Sequence, residues 1–332
     1  MNRRDFLHRS ILIGAGFSFL PALPLNIRKL TAAPTGSRII EINDPAVREK
    51  SGFNRGVIEN MLDEGLAALY QTDEPEKIWN QLFSEKDVVG IKVNCLSGSR
   101  GSSHLELVEV IIEKLKKSGI PSSNIIIWDR LNKDLESAGY RINWKNRNKV
   151  RCYGNDIAEY DNQLYLNGSV GSLISRTLTQ TCSAIINVPV LKDHGIVGIT
   201  LSMKNFFGAI HNPNKYHSKN GNPYIADLYQ INLIRQKTRL TICDALDAQY
   251  EGGPPFKPQW TWPFNGLLIG VDGVALDRVG WQIIENKRKE MGFPDLATVG
   301  RKPEYILTAG SMGIGQSDLN KIDWQKIDRN KS

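Results

Sequence analysis

Residues 187–217 read NVPVLKDHGIVGITLSMKNFFGAIHNPNKYH, and three of the chain's five histidines lie there: His194, His211 and His217. Lys192 and Lys204 share the stretch, in otherwise apolar surroundings. Lysines are rarely buried without a partner, so a lysine in an apolar run calls for an anion nearby. A neutral imidazole takes a proton or ligates a metal. Together these residue types point to a site that neutralises an anion and moves a proton or holds a metal. His194, Lys204 and Lys192 are the expected catalytic groups.

Similar residues recur elsewhere. Lys92 sits inside the apolar run DVVGIKV and is followed by Asn94. Asp129 follows NIIIW, Asp244 follows LTIC, and Asp272 follows LLIGV. The glycine-rich SGSRGSSH leads to His104, near a helix start whose amides suit an anion and whose dipole disfavours a charged imidazole. Lys92, Asn94, His104, Asn205, Asp244 and Asp272 are the expected ligand-binding residues. His194, His211 and His217 are the expected metal ligands, although their spacing matches no zinc signature. For Asp129 and Asp272 a plain turn or helix-cap role competes with a site role.

The elements that must position these groups alternate strand and helix. Apolar runs at 87–93, 124–128, 184–188, 240–243 and 267–271 read as buried strands. Amphipathic helices are expected over 55–70, 105–117, 224–235 and 273–285, and a short one over 198–207. This pattern predicts a single α/β domain, residues 34–332, on a largely parallel sheet with helices on both faces. Residues 145–170, more polar, form a small excursion. Parallel strands end at one edge, so the groups just past them converge on one crevice, the usual ligand position in such sheets. Residues 252–263, rich in Pro, Gly and Trp, form a long loop of the kind that often serves function.

Composition narrows the function classes. The 332 residues carry a formal charge of +7. Residues 1–33 hold five of the 42 Lys and Arg and one of the 35 Asp and Glu, leaving 37 against 34 in the remainder. The basic excess is mostly in that leader, which removes the main support for a nucleic-acid role. Arg3–Arg4, then Phe6–Leu7, then the apolar run 11–20 predict an export signal of the twin-arginine type over residues 1–33. Its partner is the twin-arginine export machinery, its destination the periplasm or another extracytoplasmic space. Cleavage near Ala33 and retention as a membrane anchor both stay open. Cys95, Cys152, Cys182 and Cys243 lie in apolar segments, as buried thiols do, and no iron–sulfur motif is present.

The blocks VGIKVN (89–94), NVPVLKDH (187–194), TLSMKNFFG (200–208), ICDAL (242–246) and VDGVALD (271–277) resemble those of DUF362, a family of unknown function. The resemblance covers about residues 38–318. It implies the α/β fold but no established reaction. Many relatives carry an added ferredoxin-like segment that this chain lacks. Lactate racemase and its nickel-pincer relatives offer a more distant analogy, a His and a Lys with nine residues between them, as His194 and Lys204 have here.

Two classes of function are compatible with these residues. One is an enzyme that uses acid–base or metal-assisted chemistry on a small carboxylate or phosphate. The other is a non-catalytic carrier of a metal ion or metallocofactor, or an accessory partner of a redox protein.

Overall fold

The computed structural model describes residues 37–329. The signal expected over residues 1–33 lies outside them. Twelve strands are described: β1 (Arg38–Asn43), β2 (Val89–Lys92), β3 (Ile125–Asp129), β4 (Arg151–Gly154), β5 (Tyr165–Asn167), β6 (Val170–Ser172), β7 (Ala184–Asn187), β8 (Val190–His194), β9 (Gly198–Thr200), β10 (Thr238–Gln249), β11 (Thr261–Gly270) and β12 (Asp323–Asp328). Ten form one sheet in the order β12-β1-β11-β10-β7-β2-β3-β4, with β8 beside β10 and β9 beside β8. Every pairing in it is parallel except those of β11 and β9. The expected α/β domain on a largely parallel sheet is what residues 37–329 form.

Sequence explains the centre of the sheet. All four residues of β2, all five of β3 and all four of β7 are buried, the signature of strands covered on both faces. The helix Leu105–Lys117 crosses from β2 to β3, burying Leu107, Val108, Ile111 and Leu115 along one side. Lys114, Lys116 and Lys117 occupy its last turn, where the helix dipole favours cations. In β1, Ile39 joins the core built with the helix Gly273–Glu290, while Ile42 lies against Gly65 of the helix Arg55–Tyr70. Helices therefore cover both sides of the sheet.

Four local expectations need correction. The segment 198–207 is not one helix: β8 and β9 form a hairpin, and only Ser202–Asn205 is α-helical. Gly198 permits the turn, with φ +88° and a position where a Cβ would collide with the Arg301 carbonyl oxygen. The strand expected at 240–243 runs on to Gln249, so Asp244 lies mid-strand. Residues 151–154, assigned to the excursion, form edge strand β4 of the main sheet; only the β5–β6 hairpin stands apart. Finally, β11 runs antiparallel to both neighbours, so Asp272, just past its end, emerges at the opposite edge from the ends of β2, β3 and β8. No helix of the described residues is long and apolar enough to cross a membrane.

Candidate functional site

The carboxyl ends of β2, β3 and β8 border a cavity of about 460 Å³, in the range of small-molecule sites. Lys192, His194, Lys204, Asn94, Asn205 and His217 line it, along with Asp129, Arg130 and Phe207. Gly253 and Pro254 bring the β10–β11 loop to its mouth. The loop is fixed there by hydrogen bonds from Gly253 N to Asp193 Oδ1 (2.8 Å) and from Gly195 N to Gly253 O (2.8 Å).

A charged floor lies beneath. Lys92, with no exposed surface, donates to Asp129 Oδ1 (2.7 Å), the Val93 carbonyl (2.7 Å) and Asn205 Oδ1 (3.3 Å). Asp129 also accepts from Cys95 N at 2.7 Å. The carboxylate that ends β3 is thus the counter-ion of a buried lysine, not a turn former. Gly208 allows this pair its space: a Cβ there would sit 2.5 Å from Asp129 Oδ1 and 2.8 Å from Lys92 Nζ. Asn205 ties the floor to the wall, donating to Asn187 Oδ1 (2.8 Å) and accepting from Asn94 Nδ2 (3.1 Å).

Two further buried lysines pair with no carboxylate among the described residues. Lys192 Nζ donates to Asn94 Oδ1 (2.9 Å), Ser97 Oγ (2.7 Å) and the Gly101 carbonyl (2.7 Å). Burial pulls its pKa down to about 8, against the pull of surrounding acidic groups. Lys204 is 8 % exposed and makes no hydrogen bond or ion pair to a described residue; its Nζ lies 4.8 Å from the centre of the Phe207 ring. Burial, then the Lys192 charge, lower its pKa to about 7. The helix that carries it begins on a buried carboxylate: Asp277 accepts from Ser202 N (2.6 Å) and Met203 N (3.1 Å). Asp277 therefore sets where Lys204 stands, a role its place in the sequence did not suggest.

His194 and His217 stack, with ring centres 5.4 Å apart and planes 25° from parallel, and Phe207 meets His217 edge-on. Their hydrogen bonds fix opposite tautomers. His194 Nδ1 accepts from Ile196 N (3.2 Å) and Val197 N (3.3 Å), so the proton of the neutral ring is on Nε2. His217 Nδ1 donates to the Pro213 carbonyl (3.1 Å), so its Nε2 carries a lone pair. Burial and then the Lys204 charge push His194 down to about 2 and His217 to about 4; both rings are neutral at physiological pH. The cavity wall thus offers one N–H donor, one imidazole acceptor and one unpaired amine. This set does not fit a metal site. The His194 lone pair is taken by two backbone amides, and no group of three or more His, Cys, Asp or Glu is placed to hold a metal ion among the described residues.

Other expected residues lie elsewhere. His211 is exposed; its Nδ1 accepts from Leu173 N at 3.1 Å and it is not part of the cavity lining. It does not join His194 and His217. His104 caps the helix Leu105–Lys117, and Nδ1 donates to Asp244 Oδ2 at 2.9 Å. Burial lowers its pKa, but the Asp244 carboxylate outweighs burial and the net shift is upward, opposite to the shift expected from the helix dipole. Asp244 also accepts from His104 N (2.6 Å), so the anion at this helix start is the protein's own. Asp272 is a helix cap, accepting from Val274 N and Ala275 N, and borders a separate cavity of about 510 Å³. All four cysteines are buried free thiols.

Residues 89–282 match the profile of a family described as a domain of unknown function, DUF362. The chain belongs to the DUF362 family. The floor and wall of the cavity, from Lys92 through Lys192 and His194 to Lys204 and Asn205, fall inside the matched region. No curated protein matches the chain. Among solved structures, a protein from Thermotoga maritima aligns at 13 % identity over 73 % of this chain and 60 % of that one, with a TM-score of 0.43. The chain thus spans less than two thirds of that protein's length.

Proposed function

We propose that this DUF362 chain binds a small organic anion in the cavity at the carboxyl ends of β2, β3 and β8, and performs acid–base chemistry on it. The observation that carries the reading is Lys204, a buried cation with neither ion pair nor hydrogen bond among the described residues. An isolated charge in an apolar wall is costly, and a ligand carboxylate offsets the cost. Lys192 adds a second positive charge whose hydrogen bonds go to neutral acceptors only. His217 Nε2 is the base and His194 Nε2–H the donor that orients or polarises the ligand. The arrangement favours this reading over a metallocofactor carrier, because His194 has no lone pair free for a metal.

Export belongs to the same proposal: the Arg3–Arg4, Phe6–Leu7 and 11–20 pattern supports passage through the twin-arginine machinery to the periplasm. The binding test is a thermal-shift panel of small carboxylates and phosphate. A ligand at about 100 times its Kd stabilises by ~2.7 kcal/mol. A carboxylate should raise the Tm of the native protein and leave Lys204→Met unmoved; a panel with no shift at all overturns the reading.

A further inference from the structure

We infer that Lys204 is a nucleophile that forms an imine with a carbonyl compound carrying its own carboxylate, a 2-oxo acid. The inference rests on the anion-binding reading above and narrows its ligand class. It begins from geometry. Lys204 is 8 % exposed, lines the cavity, has no acidic partner among the described residues, and stands against the Phe207 ring. An amine in such a place keeps a free lone pair, the condition for attack on a carbonyl carbon. Its pKa near 7 leaves a large neutral fraction at physiological pH.

The two imidazoles supply what the condensation needs. Lys204 is near enough for its charge to depress both. The Lys204 nitrogen attacks, the C–N bond forms and the carbonyl π electrons move to oxygen, where the His194 Nε2–H donates a hydrogen bond. His217 Nε2 takes one amine proton and returns it to that oxygen, giving the carbinolamine. The nitrogen lone pair then expels the hydroxyl, and the second amine proton passes by way of His217 to the leaving oxygen. Amine and carbonyl become imine and water, with no net change in protons. His194 cannot act as the acid, because its Nδ1 is held by two amides and a neutral ring gives up Nε2–H only as a hydrogen-bond donor. The neutral imine then takes up one proton from solvent, and the cation so formed stands in a cavity whose lining carboxylates, Asp129 and Asp134, are already paired with Lys92 and Arg130, so the carboxylate must come with the ligand. That selects an oxo acid over a neutral aldehyde or ketone.

The test is reductive trapping on the full-length protein: pyruvate with borohydride, intact mass, then peptide mapping. The expected result is a single reduced adduct on the peptide bearing Lys204, absent in Lys204→Arg and slowed about 100-fold or more in His217→Asn. The trapping rate should rise between pH 6 and 8 as the amine deprotonates. Absence of an adduct, or adducts only on surface lysines, overturns the inference. Thermal shifts with pyruvate and with lactate, which has no carbonyl, run in parallel. If both stabilise the protein and no adduct forms, the covalent step falls and anion binding stands. If neither these nor any other member of the carboxylate and phosphate panel stabilises it and no adduct forms, both readings fall.

Discussion

Lys204→Met should make the protein more stable while removing its ligand. Methionine keeps most of the stem's length and apolar contact and deletes the charge. Burial has lowered the lysine pKa from 10.5 to about 7. At ~1.4 kcal/mol per pH unit, that drop corresponds to a cost of at most ~5 kcal/mol for holding the charged form in the fold. The sign depends on which state binds the proton. Below pH 7 both states are protonated and the folded protein bears the full cost. Between pH 7 and 10.5 the unfolded chain binds more protons than the folded one, so native stability rises with pH. Above 10.5 both are neutral and the cost is gone. Urea denaturation of both proteins at pH 6 and pH 10 reads this directly. The variant's advantage should be several kcal/mol at pH 6 and fall below ~1 kcal/mol at pH 10. A difference that does not change with pH, or a variant less stable than the native protein at pH 6, refutes the claim that Lys204 is an uncompensated buried cation.

The same geometry sets other outcomes. Asp129→Asn leaves Lys92 without its counter-ion and should destabilise by about 3–5 kcal/mol, measured by urea denaturation at pH 7. Gly208→Ala places a methyl group against Asp129 and Lys92 and should cost about 1–3 kcal/mol, with thermal melting as the check. His104 has a folded pKa above its ordinary 6.5, so the stability gained from Asp244 is present below 6.5 and is lost as pH rises through the folded value. In Asp244→Asn that pH dependence should disappear from the difference between the two melting curves at pH 5.5 and 8.5. Arg3→Lys with Arg4→Lys should leave the precursor in the cytoplasm, as fractionation and blotting would show.

The sheet is legible in the apolar runs because strands buried on both faces leave a continuous signal. β2, β3 and β7 appear where VVGIKV, NIIIW and AIINV stand in the chain. Strand direction leaves no such trace. The run before Asp272 looks like the others, yet β11 is antiparallel, and that one reversal carries Asp272 to the far edge. The stretch 198–207 reads as one short helix from its apolar spacing, which a hairpin followed by a single helical turn also satisfies. What decides is the contact of Gly198 with the Arg301 carbonyl, more than a hundred positions away. Lys92, Lys192, His194 and Lys204 stand out in the sequence as candidates because charge in apolar company is conspicuous. Their partners do not. Asp129 as a counter-ion, Ser97 and Gly101 as lysine acceptors, and Asp277 as the cap under Lys204 all depend on contacts across the chain.

The histidine pair shows why the contacts, more than the residue types, determine the chemistry. Sequence offers His194, His211 and His217 as interchangeable ligands. Backbone groups make them unlike: two amides hold the His194 lone pair, a carbonyl takes the His217 proton, and an amide fixes His211 outside the cavity. The two stacked rings therefore differ in what they offer a ligand, and both are kept neutral by burial and by the Lys204 charge. The dependence runs both ways. If a carboxylate pairs with Lys204, the amine is held protonated and its charge is compensated, so it no longer depresses the rings as strongly. A 2-oxo acid that forms the imine brings its own carboxylate, so the cation it leaves on Lys204 is compensated in the same way. A titration of the His217 imidazole by NMR with and without ligand tests the coupling: its pKa should rise from about 4 when either kind of carboxylate binds, and an unchanged value refutes the dependence on the Lys204 charge.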